Sequence, residues 1–167
     1  MITIREIREG DAQNFLQLCR RLDEETQFML LEPGERRITV EEQRQRIVAL
    51  LAHKHQTILV AENESQLVGY LAAIGSDYRR NRHSVYLGTG IRQAFTGQGI
   101  GTQLFMALEQ WARERDLHRL ELTVMVHNER AIGLYKKMGF EIEGVKRHSL
   151  VVKGAYVDEY YMAKLLA

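Results

Sequence analysis

Apolar residues alternate at Ile2 and Ile4, slip by one step at Ile7, and then recur at helical spacing at Phe15, Leu18, Cys19 and Leu22. The pattern predicts a strand over residues 2–7 (β1), a break at Gly10, and a helix over 11–22 (α1) capped by Asp11. From Asp23 to Arg37 the periodicity dissolves. This stretch mixes Glu24, Glu25 and Glu32 with Phe28, Met29, Leu30 and Leu31, and holds the chain's one proline in a Pro33-Gly34 turn. Loops of this length in a compact domain tend to be functional, which makes 23–37 a candidate binding loop. The alternative is a solvated acidic loop whose apolar residues tuck into the core.

Thr39 and Glu42 read as a capping box for a second helix (α2), with Ile47, Leu50 and Leu51 at helical spacing to about His53. Two apolar strands follow, 57–62 (β2) and 66–74 (β3), joined by the polar hairpin turn Asn63-Glu64-Ser65. A basic connection over 77–82 leads into a strand (β4) with Val85, Leu87, Thr89 and Ile91 on one face. After a glycine-dense turn comes a helix (α3) from about Gly101 to Arg115, with Leu104, Phe105, Ala107, Leu108, Trp111 and Ala112 as a wide apolar stripe. A strand over 120–126 (β5) precedes a helix (α4) capped by Asn128 and stopped by Gly139. Residues 140–162 read as a β-hairpin (β6 and β7) turning near Lys153-Gly154.

The junction between β4 and α3 carries the clearest chemistry. Gly97, Gly99 and Gly101 leave no Cβ between the backbone and a ligand. Their N–H groups can therefore converge on phosphate oxygens at the positive end of α3. The spacing is not that of a dinucleotide fingerprint, because Thr102 stands where the third glycine would fall, and no Gly-Lys-Ser/Thr of a P-loop occurs. The bland alternative is a strand-to-helix turn that merely packs closely.

Composition narrows the class. At 167 residues, with 45% hydrophobic and 27% charged, the chain suits one domain spanning 1–167 with a full core. Twenty-three basic against 22 acidic residues give a net charge of +1, so no global field draws it to nucleic acid or an anionic membrane. One cysteine, Cys19, excludes an internal disulfide and is expected in the core; no Cys/His cluster has metal-ligand spacing. No signal-peptide pattern or long apolar span is present, so a cytoplasmic location is expected. A homodimer is open only as a base rate for soluble enzymes.

Thr96-Gly97-Gln98-Gly99-Ile100-Gly101 after a strand and before an amphipathic helix resembles the pyrophosphate loop of the GNAT superfamily of acetyl-CoA-dependent N-acetyltransferases, R/Q-x-x-G-x-G/A. A second signature, N-x-x-A-x-x-L-Y-x-x-x-G-F, is met by Asn128, Ala131, Leu134, Tyr135, Gly139 and Phe140. The ending G-x-Y-x-D-x-Y-x-M from Gly154 to Met162 is similar to the branch with amino-acid, phosphinothricin-type and ribosomal-protein acetyltransferases. The resemblance covers nearly the whole chain and is weakest over 23–37. It implies an α/β (α+β in some schemes) GNAT fold: one mixed, mostly antiparallel sheet of about seven strands flanked by four helices, in the order β1-α1-α2-β2-β3-β4-α3-β5-α4-β6-β7.

The resemblance also implies roles. Residues Thr96, Gly97, Gln98, Gly99, Ile100, Gly101 and Thr102 would hold the diphosphate of coenzyme A. Thr89, Gly90 and Ile91 would bind pantetheine at a bulge that also polarises the thioester carbonyl, and Asn128 would contact the pantetheine arm while capping α4. Tyr135 would be the catalytic phenol that hydrogen-bonds or protonates the coenzyme A sulfur. Thr96 departs from the usual Arg or Gln and removes one phosphate contact, for which Arg130, Lys136 or Lys137 could compensate.

The acceptor is an unidentified primary amine, of a small molecule or amino acid, or of a protein N-terminus or lysine. It would attack directly in a ternary complex, because no cysteine lies near the motifs. The general base is open among Glu24, Glu25, Glu32, His83, Tyr86, Glu159 and water. The alternative function is a non-catalytic coenzyme A-binding module of the same fold, which an unobvious base favours and the retained Tyr135 disfavours.

Overall fold

Seven strands form one sheet in the order β1-β2-β3-β4-β5-β7-β6, with four helices on its two faces. The computed structural model describes residues 1–167. The elements are β1 (Ile2–Glu6), α1 (Ala12–Glu25), α2 (Val40–Leu51), β2 (Thr57–Asn63), β3 (Gln66–Gly75), β4 (Ser84–Ile91), α3 (Ile100–Arg113), β5 (Arg119–Met125), α4 (Glu129–Lys137), β6 (Glu141–Val152) and β7 (Ala155–Leu165). All pairings are antiparallel except β4 with β5.

Alternation of side chains across the pleat divides the core in two. Ile58 and Val60 of β2 face α1 and α2, joining Phe15, Leu18, Leu22 and Ile47. Leu59 and Ala61 face the other way, joining Leu104, Leu108, Trp111, Tyr135 and Phe140 around α3 and α4. Strands covered on both faces read as continuous apolar runs, which is why β2 is legible without alternation. The two-residue turns at Glu64-Ser65 and Lys153-Gly154 have positive φ at both positions, as tight hairpins require.

Two expectations change. Helix α1 runs to Glu25 rather than ending at Leu22, so Asp23, Glu24 and Glu25 belong to it and not to the following loop. Asp23 continues the buried stripe at 2% exposure, its charge held by Arg36 at 2.8 Å. A carboxylate on the inner face conceals the period from a reading that expects apolar residues there. The second change concerns Gly90. The β3–β4 register runs unbroken from Gly75↔Val85 to Gly69↔Ile91, so β4 carries no bulge at Thr89-Gly90-Ile91. The sheet's irregularity lies one strand over, between β2 and β3 at Ala61/Glu62. Gly90 is required instead by close packing, since a Cβ there would stand 2.8 Å from Leu22 Cδ1 and 3.2 Å from Tyr70 Cε1.

Candidate active site

Strands β4 and β5 pair at Ser84, Val85 and Tyr86 and then separate, although β4 continues to Ile91 and β5 to Met125. Arg92 N donates to Val68 O, and ladder alternation from that bond turns the N–H and C=O groups of Leu87, Thr89 and Ile91 toward β5. The Tyr86↔Glu121 bridge takes up the Leu87 N–H, and from the Leu87 C=O onward no strand meets them. The parting of the two strands thus does what a bulge was expected to do, exposing a run of alternating donors and acceptors in the middle of a sheet. An extended, amide-bearing chain can complete such an edge.

At the end of that edge β4 passes through a 3-10 turn, Gln93–Phe95, into the glycine turn and α3. Gly97 (φ +76°) and Gly99 (φ +81°) take the left-handed conformation, and Gly99 occupies the N-cap of α3 with no side-chain cap. The first helical bond runs from Gln103 N to Gly99 O, so the N–H groups of Gly97 through Thr102 meet no protein acceptor. They are exposed as far as Gly99 and open to an anion at the positive end of the helix. Gly101 serves packing, because a Cβ there would meet Leu134 Cδ2 at 2.6 Å, where α3 lies against α4.

The hydroxyl of Thr96 is spent within its own turn, donating to Gln93 O at 2.8 Å, and offers an anion nothing. Positive charge arrives from α4. The exposed Arg130 brings Nη1 within 3.8 Å of where a Gly97 Cβ would be, and Lys137 Nζ reaches Thr102 Oγ1 at 3.3 Å. Asn128 caps α4 by accepting from Ala131 N at 3.4 Å, which leaves its amide NH₂ as a free donor.

Tyr135 lies on α4 among Phe105 and Phe140, its ring 6% exposed and its hydroxyl without a protein partner. Burial first, and then the neighbouring Tyr86, hold its phenol well above the usual tyrosine range. Such a group is a hydrogen-bond donor at every working pH and a poor source of a transferable proton.

Across the sheet, Tyr86 binds Thr123 of β5 through their hydroxyls at 2.7 Å. The loop after α1 reaches the same place: Met29 Sδ lies 3.5 Å from the position of a Gly90 Cβ, and Phe28 packs on the His127 ring at 5.1 Å. Residues 28–29 of the candidate binding loop therefore stand at the mouth of the parting.

The base candidates separate. Glu25 is committed to Arg92 and to Gln93 N, and Glu24 and Glu32 are exposed. His83 precedes β4, and its ring lies tilted beside that of His118 at 6.4 Å. Glu159 lies opposite Met125 on β7, on the Thr123 face.

The sequence pattern of the acetyltransferase (GNAT) family matches residues 16–140. The chain belongs to the GNAT acetyltransferase family. Members are N-acetyltransferases that use acetyl-CoA as co-substrate, and the two signatures and the strand order of this chain are those of a GNAT protein. It is 35% identical over 111 residues to the L-amino acid N-acetyltransferase AaaT of Escherichia coli K12, covering 64% of this chain and 67% of that protein. It is 30% identical over 102 residues to the [ribosomal protein uS5]-alanine N-acetyltransferase of the same strain, where the match spans 52% of the relative's length. A GNAT-family acetyltransferase structure from Streptococcus pneumoniae superimposes with a TM-score of 0.95 at 29% identity, covering 99% of this chain and 100% of that one. The yncA structure from Salmonella typhimurium, solved with acetyl-CoA, shares the fold at 20% identity and a TM-score of 0.87, covering 99% and 94% of the two chains.

Against the GNAT pattern, sequence reasoning misplaced one element of the site and missed another. It attributed the open edge to a bulge at Gly90, where the structure has a parting that begins after the Tyr86↔Glu121 pair and adds the Leu87 carbonyl to the edge. It left Glu25 among the open candidates for the base, where the structure commits that carboxylate to Arg92 and Gln93 N. Nothing local to either residue announces a bond spanning 67 positions. No helix is long and apolar enough to cross a membrane, and no group of three or more His, Cys, Asp or Glu is arranged to hold a metal.

Proposed function

We propose that this chain transfers the acetyl group of acetyl-CoA to the primary amine of a small molecule, an amino acid or a peptide N-terminus, by direct attack in a ternary complex. The observation that carries the reading is the continuity of the site. An unpaired β4 edge leads into a turn of unpartnered amides, and the Tyr135 hydroxyl, without a protein partner, lies within electrostatic reach of Tyr86 on that strand. The diphosphate suits the amides of Gly97–Thr102, and the two amides of a pantetheine arm suit the N–H and C=O groups of Thr89 and Ile91.

In the reaction an amine, once deprotonated, attacks the thioester carbonyl carbon. The resulting oxyanion is stabilised by N–H groups of the β4 edge, and collapse of the tetrahedral species expels the thiolate. The elevated phenol of Tyr135 suits hydrogen-bond stabilisation of that thiolate better than outright protonation. Of the base candidates, Tyr86 and Glu159 share the face of the sheet that holds Thr123, and a base on that face, or a water held there, would take the ammonium proton. Cys19 takes no part: burial pushes its thiol up to about 11, and it sits on the buried face of α1. The amino-acid and alanine N-acetyltransferase names of the two relatives support an α-amine as acceptor.

Thiol release from acetyl-CoA, measured with a panel of amino acids, amines, polyamines and N-terminal peptides, tests the reading. Turnover with at least one α-amine is expected, with kcat reduced about 10–100-fold in Tyr135→Phe and coenzyme A affinity little changed. Tight coenzyme A binding with no turnover on any member would refute it in favour of a binding module.

A further inference from the structure

The loop after α1 and the diphosphate turn are far apart in sequence, yet one carboxylate joins them. Glu25, the last residue of α1, receives Arg92 Nε at 3.0 Å and Nη2 at 2.9 Å on Oε1, and Gln93 N at 2.9 Å on Oε2. Both partners open the 3-10 turn that delivers the chain to Gly97. The carbonyl of Gln93 in turn accepts from Thr96 N at 3.2 Å and Thr96 Oγ1 at 2.8 Å. Gln93 is thus held by Glu25 through its N–H and through its C=O holds Thr96, the residue before the amide turn. On the other side, Glu25 is followed directly by Thr26, whose hydroxyl accepts from Phe28 N at 3.1 Å, and by Phe28 and Met29 at the mouth of the parting.

A carboxylate at 22% exposure, bonded at three points, is a stiff connection between the end of α1 and the 3-10 turn. Ordering a loop costs conformational entropy, and whatever restrains residues 92–97 lowers the residual cost for residues 26–31. We infer that Glu25 is a positioning residue through which seating of coenzyme A at Gly97–Thr102 fixes the 26–31 loop that frames the acceptor. This rests on the proposed placement of the diphosphate. It implies that the two ligands reinforce each other's affinity by the same factor.

Hydrogen exchange with coenzyme A alone as the probe separates the possibilities. In the wild-type chain, coenzyme A is expected to slow exchange at 97–102 and, about 5-fold, at 26–31, which touches no phosphate. In Glu25→Ala the slowing at 97–102 should persist while that at 26–31 is lost, and Arg92→Met should reproduce the loss from the opposite side. Unchanged protection elsewhere in α1 shows that the variants are folded. Slowing at 97–102 without 26–31 in the wild type, or slowing at 26–31 that survives both substitutions, would overturn the inference and leave the diphosphate placement standing. Absence of slowing at 97–102 would instead overturn the placement.

Discussion

Replacing Arg130 by alanine isolates the question of what substitutes for the cation missing at position 96. Thr96 contributes no contact to a bound diphosphate, because its hydroxyl is turned back onto Gln93 O. Arg130 stands over the first glycine of the turn, its Nη1 3.8 Å from the position of a Gly97 Cβ. A cation about 4 Å from a phosphate oxygen is worth about 1 kcal/mol in fully solvated surroundings and about 4 kcal/mol where the effective dielectric falls to about 20. Arg130 is exposed, so the lower end applies after screening, and Arg130→Ala should weaken coenzyme A binding about 5–10-fold.

Calorimetric titration at low and high salt measures this directly. The loss should shrink as salt rises, and pantetheine, which lacks the diphosphate, should bind both proteins alike. Position 96 has φ −72° and ψ 154°, a backbone any side chain adopts, so Thr96→Arg in the Arg130→Ala background should restore most of the affinity. If the variant binds within about 2-fold of the wild type, or if pantetheine loses as much as coenzyme A, Arg130 does not contact the phosphates and the electrostatic account fails.

Other expectations follow from packing and charge. Gly90→Ala would drive a Cβ to 2.8 Å from Leu22 Cδ1 in a core without slack, lowering stability by about 1–3 kcal/mol in urea unfolding; an unchanged midpoint would show that Leu22 can move aside. Gly99→Ala meets no atom within 4 Å yet must hold φ near +81°, so it should cost about 1–2 kcal/mol, and Gly99→Asn less. Arg36→Ala strands the Asp23 carboxylate at 2% exposure and should cost about 3–5 kcal/mol, with much of this recovered when Asp23→Asn is added. Acid lability has a defined source in Asp11, whose hydrogen bonds from Arg5, opposed by burial, hold its carboxyl below the usual 3.8. A depressed folded value means that this contribution is fully present above about pH 4–5 and is lost as pH falls through the folded value. Asp11→Asn should therefore flatten the stability curve below pH 4 and leave its shape near neutrality unchanged.

The sequence by itself determined the order of elements and the chemistry of two of them. Both hairpins, the capping box at Thr39–Glu42, the Asn128 cap and the Gly99 and Gly139 breaks are local features, each requiring a particular residue type at a particular φ or hydrogen bond. The amide turn at 97–102 is local too, since glycine spacing and a helix start suffice to leave N–H groups unpartnered. The tertiary structure alone decided where β4 leaves β5, because strand pairing depends on two segments whose closest paired residues are 35 positions apart. It also placed Asp23 inside helix α1 by supplying Arg36, and set Tyr135 in an apolar pocket that raises its phenol. Finally, it turned Glu25 from a surface acid into a tie between two loops. In each of these cases the energy of a charge or a backbone edge is fixed by a partner remote in sequence, and a periodic pattern read along the chain carries no record of that partner.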